Sequence, residues 1–212
     1  MNQSLLIAAF SRMIMILSLA VIGSCSFDEE DATIFDESSI IERRKEIDDF
    51  FLNDASSPLH EEQKKDFKGL QYFPPSEDYA FYATFVKASI SDTVQLLTSK
   101  AAEKRSMIMY GTLSFSTQDG TQLTLTAYKS TNIDDEILFV PFKDKTNGFE
   151  TYEAGRYVEL EEIPNGDEYL LDFNRAYNPY CAYNKDFSCP LVPKNNVLSV
   201  AIKAGEKRPA LQ

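Results

Sequence analysis

The stretch Ser106–Lys129, SMIMYGTLSFSTQDGTQLTLTAYK, decides the fold of this chain. Two runs rich in β-branched and aromatic residues flank Asp119-Gly120, and this dipeptide between alternating runs is the strongest short-range signal of a β-hairpin. Alternate side chains of a strand share one face. One face of the predicted hairpin carries four large apolar side chains, Leu113, Phe115, Leu123 and Leu125. The stretch therefore predicts an antiparallel strand pair with that face in the core.

Segments of the same β-favouring composition continue along the chain. With the two hairpin runs there are eight of them, at 79–88, 93–98, 106–116, 121–129, 136–142, 156–163, 168–173 and 197–204. Asn165-Gly166 predicts a second hairpin, between 156–163 and 168–173. The sequence contains no strand–helix–strand alternation, no repeat and no glycine-rich phosphate loop. We expect a mainly β fold, an antiparallel sandwich or partly closed barrel.

The segment before the strands predicts helices. From Asp36 the sequence DESSIIERRKEIDDFFLN carries apolar residues at helical spacing, and Ser38 or Ser39 is suited to cap its start. A shorter helix is expected over 59–67, ended by Gly69. His60, the only histidine, lies in a polar turn, which is typical of a solvated residue. One or two N-terminal helices should therefore pack on the β domain.

The N-terminal 24 residues predict a signal peptide. Arg12 is their only charge, and the apolar run 13–22 is too short to span a bilayer as a helix. Ile22-Gly23-Ser24-Cys25 resembles the lipobox of bacterial lipoproteins, in which the Cys becomes the acylated first residue. We therefore expect residues 1–24 to be removed and Cys25 to carry lipid, with an ordinary signal peptide or a short anchor as the alternatives.

The lipid would tether the domain to the membrane through an acidic linker. Residues 25–36 include the run Ser26–Asp31, SFDEED, which is typical of a solvated tether and resembles the export signals of surface lipoproteins. We expect an outer-membrane lipoprotein of the cell envelope, facing the periplasm or the cell surface. Residues 37–207 then form a single domain, and 208–212 form a tail.

Charge narrows the range of partners. The whole chain has a net charge of −12, and loss of Arg12 with the signal peptide makes it −13. Such a surface repels phosphate backbones, so nucleic acid is not an expected partner. Neutral or cationic partners are favoured by this charge, and a small polar ligand or an envelope protein is the expected partner. The sequence indicates no cofactor.

The stretch Leu171–Val197, LDFNRAYNPYCAYNKDFSCPLVPKNNV, predicts a long ordered loop. It contains five Asn, three Pro and two Cys between short apolar runs, which suits neither a regular strand nor a helix. Long ordered loops in compact domains are often functional. Candidate binding residues within it are Asp172, Asn174, Asn178, Asn184 and Asn196. The alternative is that these side chains only hold turns by binding backbone amides.

A second group of candidates precedes the loop, in TYEAGRY. Tyr152, Arg156 and Tyr157 lie there, and Asp144 lies just upstream. Arg156 is either a buried ion-pair partner for Asp144 or Asp172, or a bidentate hydrogen-bond donor to a carboxylate or phosphate group of a ligand. Convergence of Arg156 with Asp172 would form a pocket of opposite charges that could bind a ligand or position water.

The chain resembles the bacterial family of domain of unknown function 1684. The resemblance rests on FKGLQYFPP, GTLSF, FVPFKDKTNGFETYEAGRY, DFN, NPYCAYN, CP and AGEK in this order, and covers roughly 41–207. It implies membership of an uncharacterised family and no particular mechanism.

Cys181 and Cys189 remain once Cys25 is assigned to lipid. In an oxidising compartment an even pair predicts a disulfide. Similar family members that lack a signal peptide keep the pattern, which favours buried thiols instead. A metal site is disfavoured because the spacing is not that of zinc ribbons and no other Cys or His completes a ligand set.

Three functional hypotheses follow. The leading one is a membrane-tethered envelope protein that binds a small polar ligand or partner at the Asp172–Asn196 loop. The alternative is a hydrolase that uses Asp172 and Arg156, with Cys181 or Cys189 as a further candidate. A purely structural envelope protein is the third.

Overall fold

The computed structural model describes residues 35–132 and 134–210. The predicted signal peptide 1–24, Cys25 and most of the tether 25–36 lie outside these residues. The last two residues of the tail do so too.

Two helices precede the sheet. Helix α1 spans Glu37–Asn53 and α2 spans Glu61–Asp66, a shorter helix than the predicted 59–67. The cap of α1 is Asp36, whose carboxylate accepts from the Ser39 amide at 3.0 Å. The expected caps, Ser38 and Ser39, lie instead in the first turn, where Ser39 supplies the amide that is capped. Neither helix of the described chain has the length and apolar character needed to cross a bilayer.

Seven strands follow the helices in the part of the chain that the structure describes. They are β1 Ala80–Lys87, β2 Thr93–Leu97, β3 Lys104–Ser116, β4 Gln122–Ser130, β5 Ile137–Phe142, β6 Arg156–Glu161 and β7 Glu168–Asp172. All pairings are antiparallel, in the order β6-β5-β4-β3-β1-β7, with β2 on the remaining part of β3. The fold is mainly β, as predicted, and takes the form of a nearly closed barrel.

The predicted β3–β4 hairpin is confirmed. Leu113 pairs with Leu125 and Phe115 with Leu123, and all four are buried. They lie in a core that extends across β1 and β5 to β7. The register of this pair shifts between Met109 and Gly111, and a Cβ on Gly111 would lie 2.3 Å from the Phe85 ring. The local sequence thus fixes the central strand pair on which the barrel is built.

The predicted second hairpin is wrong. Asn165 does turn the chain, with φ of 59°, but β6 pairs with β5 and β7 pairs with β1. The two strands are therefore the end strands of the sheet. Closure on this side comes from Tyr157 in β6 and Tyr177, beyond β7, whose amides and carbonyls exchange hydrogen bonds of 2.9 and 3.0 Å.

The predicted eighth strand, 197–204, is also wrong. This segment runs beside residues 143–145 and makes single bonds, such as Lys145 N to Val200 O at 2.9 Å. The carbonyls of Ile202 and Ala204 accept from the Arg156 guanidinium. Carbonyls that accept hydrogen bonds from a side chain are not available for backbone hydrogen bonds to a neighbouring strand, which explains why this segment forms no strand.

Candidate functional site

The segment after β7 is an ordered loop, as predicted, and short 3₁₀ turns at 173–175 and 180–182 lie within it. Asp172 Oδ1 accepts from the amide and the side chain of Asn174 at 2.9 and 2.8 Å. Asn174 in turn exchanges hydrogen bonds with the backbone of Ser76. These two predicted binding residues therefore hold the start of the loop against the segment that leads into β1.

The other end of the loop is held by Asn196. Its Oδ1 accepts from the Thr126 amide at 2.9 Å, and its Nδ2 donates to the carbonyls of Thr126 and Pro141 at 2.8 and 2.7 Å. The side chain is fully buried. Asn184 plays a smaller part, accepting from the Asp186 amide at 2.9 Å within a turn. Asn side chains that bind backbone amides are typical of ordered loops.

Arg156 is buried with Asp144. Its NH2 donates to Asp144 Oδ2 at 3.0 Å, and the guanidinium also donates to the carbonyls of Ile202, Ala204 and Glu206. Burial lowers the pKa of Arg156, and the Asp144 carboxylate opposes that effect. Of the two interpretations of Arg156, the buried ion pair is the one that is observed. It joins β6 to the C-terminal segment.

Arg156 and Asp172 do not form one pocket of opposite charges. Asp172 pairs with Arg175 at 3.4 Å, and within the described residues no hydrogen bond or ion pair joins it to Arg156. The hydrolase alternative, which uses both residues, stays a prediction.

Glu206 is a buried acid that the sequence analysis missed. Its Oε2 accepts from the Asn178 amide at 2.8 Å, but its Oε1 and the Oδ1 of Asn178 have no hydrogen-bond partner among the described residues. Burial raises the pKa of Glu206 to about 8, against the lowering effect of the Asn178 hydrogen bonds and Arg156. The acid is therefore largely protonated at neutral pH and able to donate a hydrogen bond.

A cleft of about 800 Å³ has Glu206 and Asn178 among its lining residues. Helix α1 forms one wall, residues of β3, β5 and β6 form the second, and the loop from 175 to 190 forms the third. Its apolar lining consists largely of partly exposed side chains, among them Ile47, Phe50, Phe139, Tyr177, Tyr180 and Phe187. Small-molecule sites typically have about 300–1,000 Å³ and such apolar walls.

Three arginines also line the cleft, one from each wall. They are Arg43 of α1, Arg105 of β3 and Arg175 of the loop, all with exposed side chains. The acids in the lining besides Glu206 are Asp135 and Glu159. Arg175 already pairs with Asp172 at 3.4 Å, so within the described residues Arg43 and Arg105 are the lining arginines without an ion-pair partner.

Two tyrosines complete the predicted set. Tyr157 lines the cleft, and its hydroxyl donates to the Pro190 carbonyl, which fixes the far wall of the loop. Burial raises the pKa of the Tyr152 phenol, and the neighbouring Cys181 raises it further. The structure thus brings Tyr157 and Asn178 to the cleft and places Tyr152 beside the cysteines. The remaining binding candidates, Asp144, Arg156, Asp172, Asn174, Asn184 and Asn196, lie outside the cleft lining.

Cys181 and Cys189 lie side by side as unbridged thiols. The Cys181 amide donates to Cys189 Sγ at 3.2 Å. The disulfide expected between Cys181 and Cys189 in the cell stays a prediction. Within residues 35–132 and 134–210 no group of three or more His, Cys, Asp or Glu side chains is arranged to hold a metal ion.

The fold and the cleft define a class of protein, a nearly closed antiparallel barrel covered by an N-terminal helix and a long polar loop. The chain belongs to the family described as Protein of unknown function (DUF1684), whose model matches residues 65–207. The family resemblance seen in the sequence is thereby confirmed.

A solved structure supports the same assignment. The chain is similar to an uncharacterized protein from Haloarcula marismortui, determined by solution NMR, with 40% identity and a TM-score of 0.65. The match covers 81% of this chain and 93% of that one. No curated protein matches the chain.

Proposed function

We propose that this protein is a binding module for a small organic anion with an apolar or aromatic body, held in the cleft between α1, the barrel and the loop. The observation that carries the proposal is the combination of partly exposed aromatic walls with three arginines around one cavity of about 800 Å³. This proposal keeps the ligand at the predicted loop. It makes the ligand amphipathic rather than simply polar.

The chemistry of the walls selects such a ligand. Aromatic side chains that stay partly exposed, such as Phe50 and Phe187, gain free energy when an apolar ligand covers them. Arg43 and Arg105 offer planar donors that match a carboxylate or phosphate. Glu206 and the unpartnered Asn178 oxygen are buried behind this lining. A ligand with an apolar body and an anionic end would match both the aromatic walls and the arginines.

Binding of a fluorescent probe tests this proposal. Anilinonaphthalene sulfonate has an aromatic body and an anionic end, and its fluorescence rises when it leaves water. We expect saturable binding to the full chain, which aromatic carboxylates and medium-chain fatty acids should displace. Arg105→Gln should weaken probe binding by roughly ten-fold or more, because a hydrogen bond to a charged group contributes about 1.5–3 kcal/mol. Phe187→Ala should weaken it as well.

Matched variants outside the cleft serve as controls. Arg208→Gln removes an exposed arginine and Phe149→Ala removes a phenyl ring that is 84% exposed, and neither residue lines the cleft. Both should bind the probe as the wild type does. Equal losses in the cleft variants and the controls would show that the probe adheres to the general surface, and the binding proposal would then fail.

We propose in addition that the module is a lipoprotein of the cell envelope. The support is the lipobox-like Ile22–Cys25 after an apolar run, followed by the acidic tether. Acylation of Cys25 would hold the domain at the outer membrane, with the cleft facing the periplasm or the cell surface. In a bacterial host, an alkyne-tagged fatty acid should label the wild type and leave Cys25→Ser unlabelled. Labelling of both would contradict acylation at this residue, and protease treatment of intact cells would separate the two orientations.

A further inference from the structure

We propose that Cys181 and Cys189 form a thiol–disulfide exchange site, in which Cys181 attacks a low-molecular-weight disulfide and Cys189 resolves the mixed disulfide. Cys189 is one of the residues that line the cleft, but the inference does not depend on the ligand proposed there. It rests on the 3.2 Å between the Cys181 amide and Cys189 Sγ and on the different exposure and backbone anchoring of the two cysteines.

The backbone holds the two cysteines in different ways. Cys189 exchanges hydrogen bonds with Ser99, at the end of β2: its amide donates to Ser99 Oγ at 3.1 Å, and its carbonyl accepts from the Ser99 amide at 2.8 Å. Cys181 belongs to the 3₁₀ turn Tyr180–Ala182. Cys189 is therefore anchored to the barrel on both sides, while Cys181 faces it from a short turn.

The exposure of the two thiols also differs. Cys181 is partly exposed and Cys189 is buried, with 8% of its surface accessible. An incoming disulfide can therefore reach Cys181 more readily than Cys189. The Cys189 sulfur lies 3.2 Å from the Cys181 amide, so it can complete the second step without a large movement of the chain.

The pKa values of the two thiols shift in opposite directions, which agrees with these roles. The neighbouring Cys189 thiol is the main cause that lowers the pKa of Cys181 to about 7, followed by Ser99 and Tyr152. The Cys189 pKa is raised, first because its thiol donates to Cys181 and then because it is buried. A thiol whose pKa lies near the ambient pH is the most effective attacking group in exchange, and an inert buried thiol is not.

The exchange balances in two steps. The Cys181 thiolate attacks one sulfur of the small disulfide, forms a mixed disulfide and releases the other half as a thiolate. Cys189 then gives its proton to the released thiolate and attacks the Cys181 sulfur, which expels the second half. Two protein thiols are oxidised to one disulfide, and the small disulfide is reduced to two thiols.

Trapping of the mixed disulfide tests the assignment, with oxidised glutathione as the probe. All proteins carry Cys25→Ser, so that the pair supplies the only cysteines. We expect Cys189→Ser to retain one glutathione per chain by intact mass and Cys181→Ser to retain none. The wild type should retain none either and should lose two alkylatable thiols. Equal retention by both variants, or retention by Cys181→Ser alone, would overturn the assignment.

Two measurements on the wild-type pair do not depend on the folding of a variant. The first alkylation of the reduced pair should show a midpoint near pH 7, whereas an ordinary cysteine titrates near pH 8.5. In buffers of reduced and oxidised glutathione, the disulfide between Cys181 and Cys189 should form and be reduced reversibly as the ratio of the two changes. A disulfide that excess reduced glutathione does not reduce would be a purely structural cross-link. Thiols that excess oxidised glutathione does not oxidise would be unreactive. Either result would refute the exchange site.

Discussion

Arg156 donates from NH2 to Asp144 Oδ2 at 3.0 Å, and neither side chain has any surface accessible to solvent. The Asp144 oxygen on the other side accepts from the amides of Thr146 and Ile202 at 2.8 and 3.2 Å. The guanidinium binds three carbonyls of the C-terminal segment. One pair thus ties β6, the segment after β5 and the C-terminal segment together.

Asp144→Asn should destabilise the protein strongly. The variant keeps an acceptor oxygen for the Thr146 and Ile202 amides, but it leaves the Arg156 charge buried without a counter-ion. Loss of one partner of a buried pair costs about 3–5 kcal/mol. The free energy of unfolding in urea would measure the loss. The exposed pair of Lys203 and Glu150 is the control, because Glu150→Gln should cost less than about 1 kcal/mol. Similar losses in the two variants would contradict a structural role for the buried pair.

Glu206→Gln should change how stability depends on pH. The pKa of Glu206 is raised to about 8 in the folded protein, whereas an unfolded Glu titrates near 4.3. Between these values the folded state holds a proton that the unfolded state has lost. The contribution of Glu206 is therefore fully present below about pH 4 and is lost as the pH rises towards 8. Gln has the shape of the protonated acid but does not titrate.

The measurement is the difference in unfolding free energy between Glu206→Gln and the wild type. The unfolding free energy of the variant minus that of the wild type should increase by at most about 1.4 kcal/mol for each pH unit between about 4.5 and 8. Above pH 8 it should stay constant. Comparison at equal pH cancels the titration of the other groups. A difference that stays constant over this range would show that Glu206 is ionised in the folded protein.

Asn196→Ala should open the end of the loop. The substitution leaves the amide and carbonyl of Thr126 and the carbonyl of Pro141 without their buried partner. Each unsatisfied buried group costs about 1–3 kcal/mol, so a total above about 2 kcal/mol is expected in urea unfolding. Asn195→Ala is the matched control, because the exposed Asn195 side chain makes a single bond, to Thr126 Oγ1. An equal effect at both positions would contradict the role given to Asn196.

The parts of the fold that depend on neighbouring residues could be predicted from the sequence. The β3–β4 hairpin and the turn at Asn165 follow from local dipeptides, and both turns are present. The partners of β6 and β7 depend on how the barrel closes, which a local pattern does not contain. The second hairpin was therefore predicted wrongly, although its turn was identified correctly.

In the candidate site too, local features could be predicted from the sequence and features that depend on distant residues could not. The turn-holding roles of Asp172 and the asparagines were considered from the sequence, because Asx turns are local. The cleft brings together α1, β3 and the loop, which are far apart in sequence. One signal for Glu206 was available: it continues the inward alternation of Leu198, Ile202 and Ala204, all of which are buried. That alternation predicts a strand, and the acid at its end is not among the predicted site residues.

Gly205→Ala should destabilise the protein and disturb the cleft together. Gly205 has φ of +71°, and a Cβ there would lie 2.6 Å from the carbonyl oxygens of Phe173 and Ala176. Those atoms belong to the backbone and cannot rotate away. The next amide, that of Glu206, donates to the same Ala176 carbonyl at 2.8 Å, so relief of the clash must displace Glu206.

Gly120→Ala separates the clash from the cost of the backbone conformation. Gly120 also has a positive φ, +83°, but a Cβ there would meet nothing within 4 Å. Its variant should lose about 1 kcal/mol, from the left-handed conformation alone. Gly205→Ala should lose a further ~1–3 kcal/mol through overpacking and should also bind anilinonaphthalene sulfonate more weakly. Equal unfolding free energies for the two variants would mean that the C-terminal segment yields freely, and Glu206 would then not be held rigidly at the cleft.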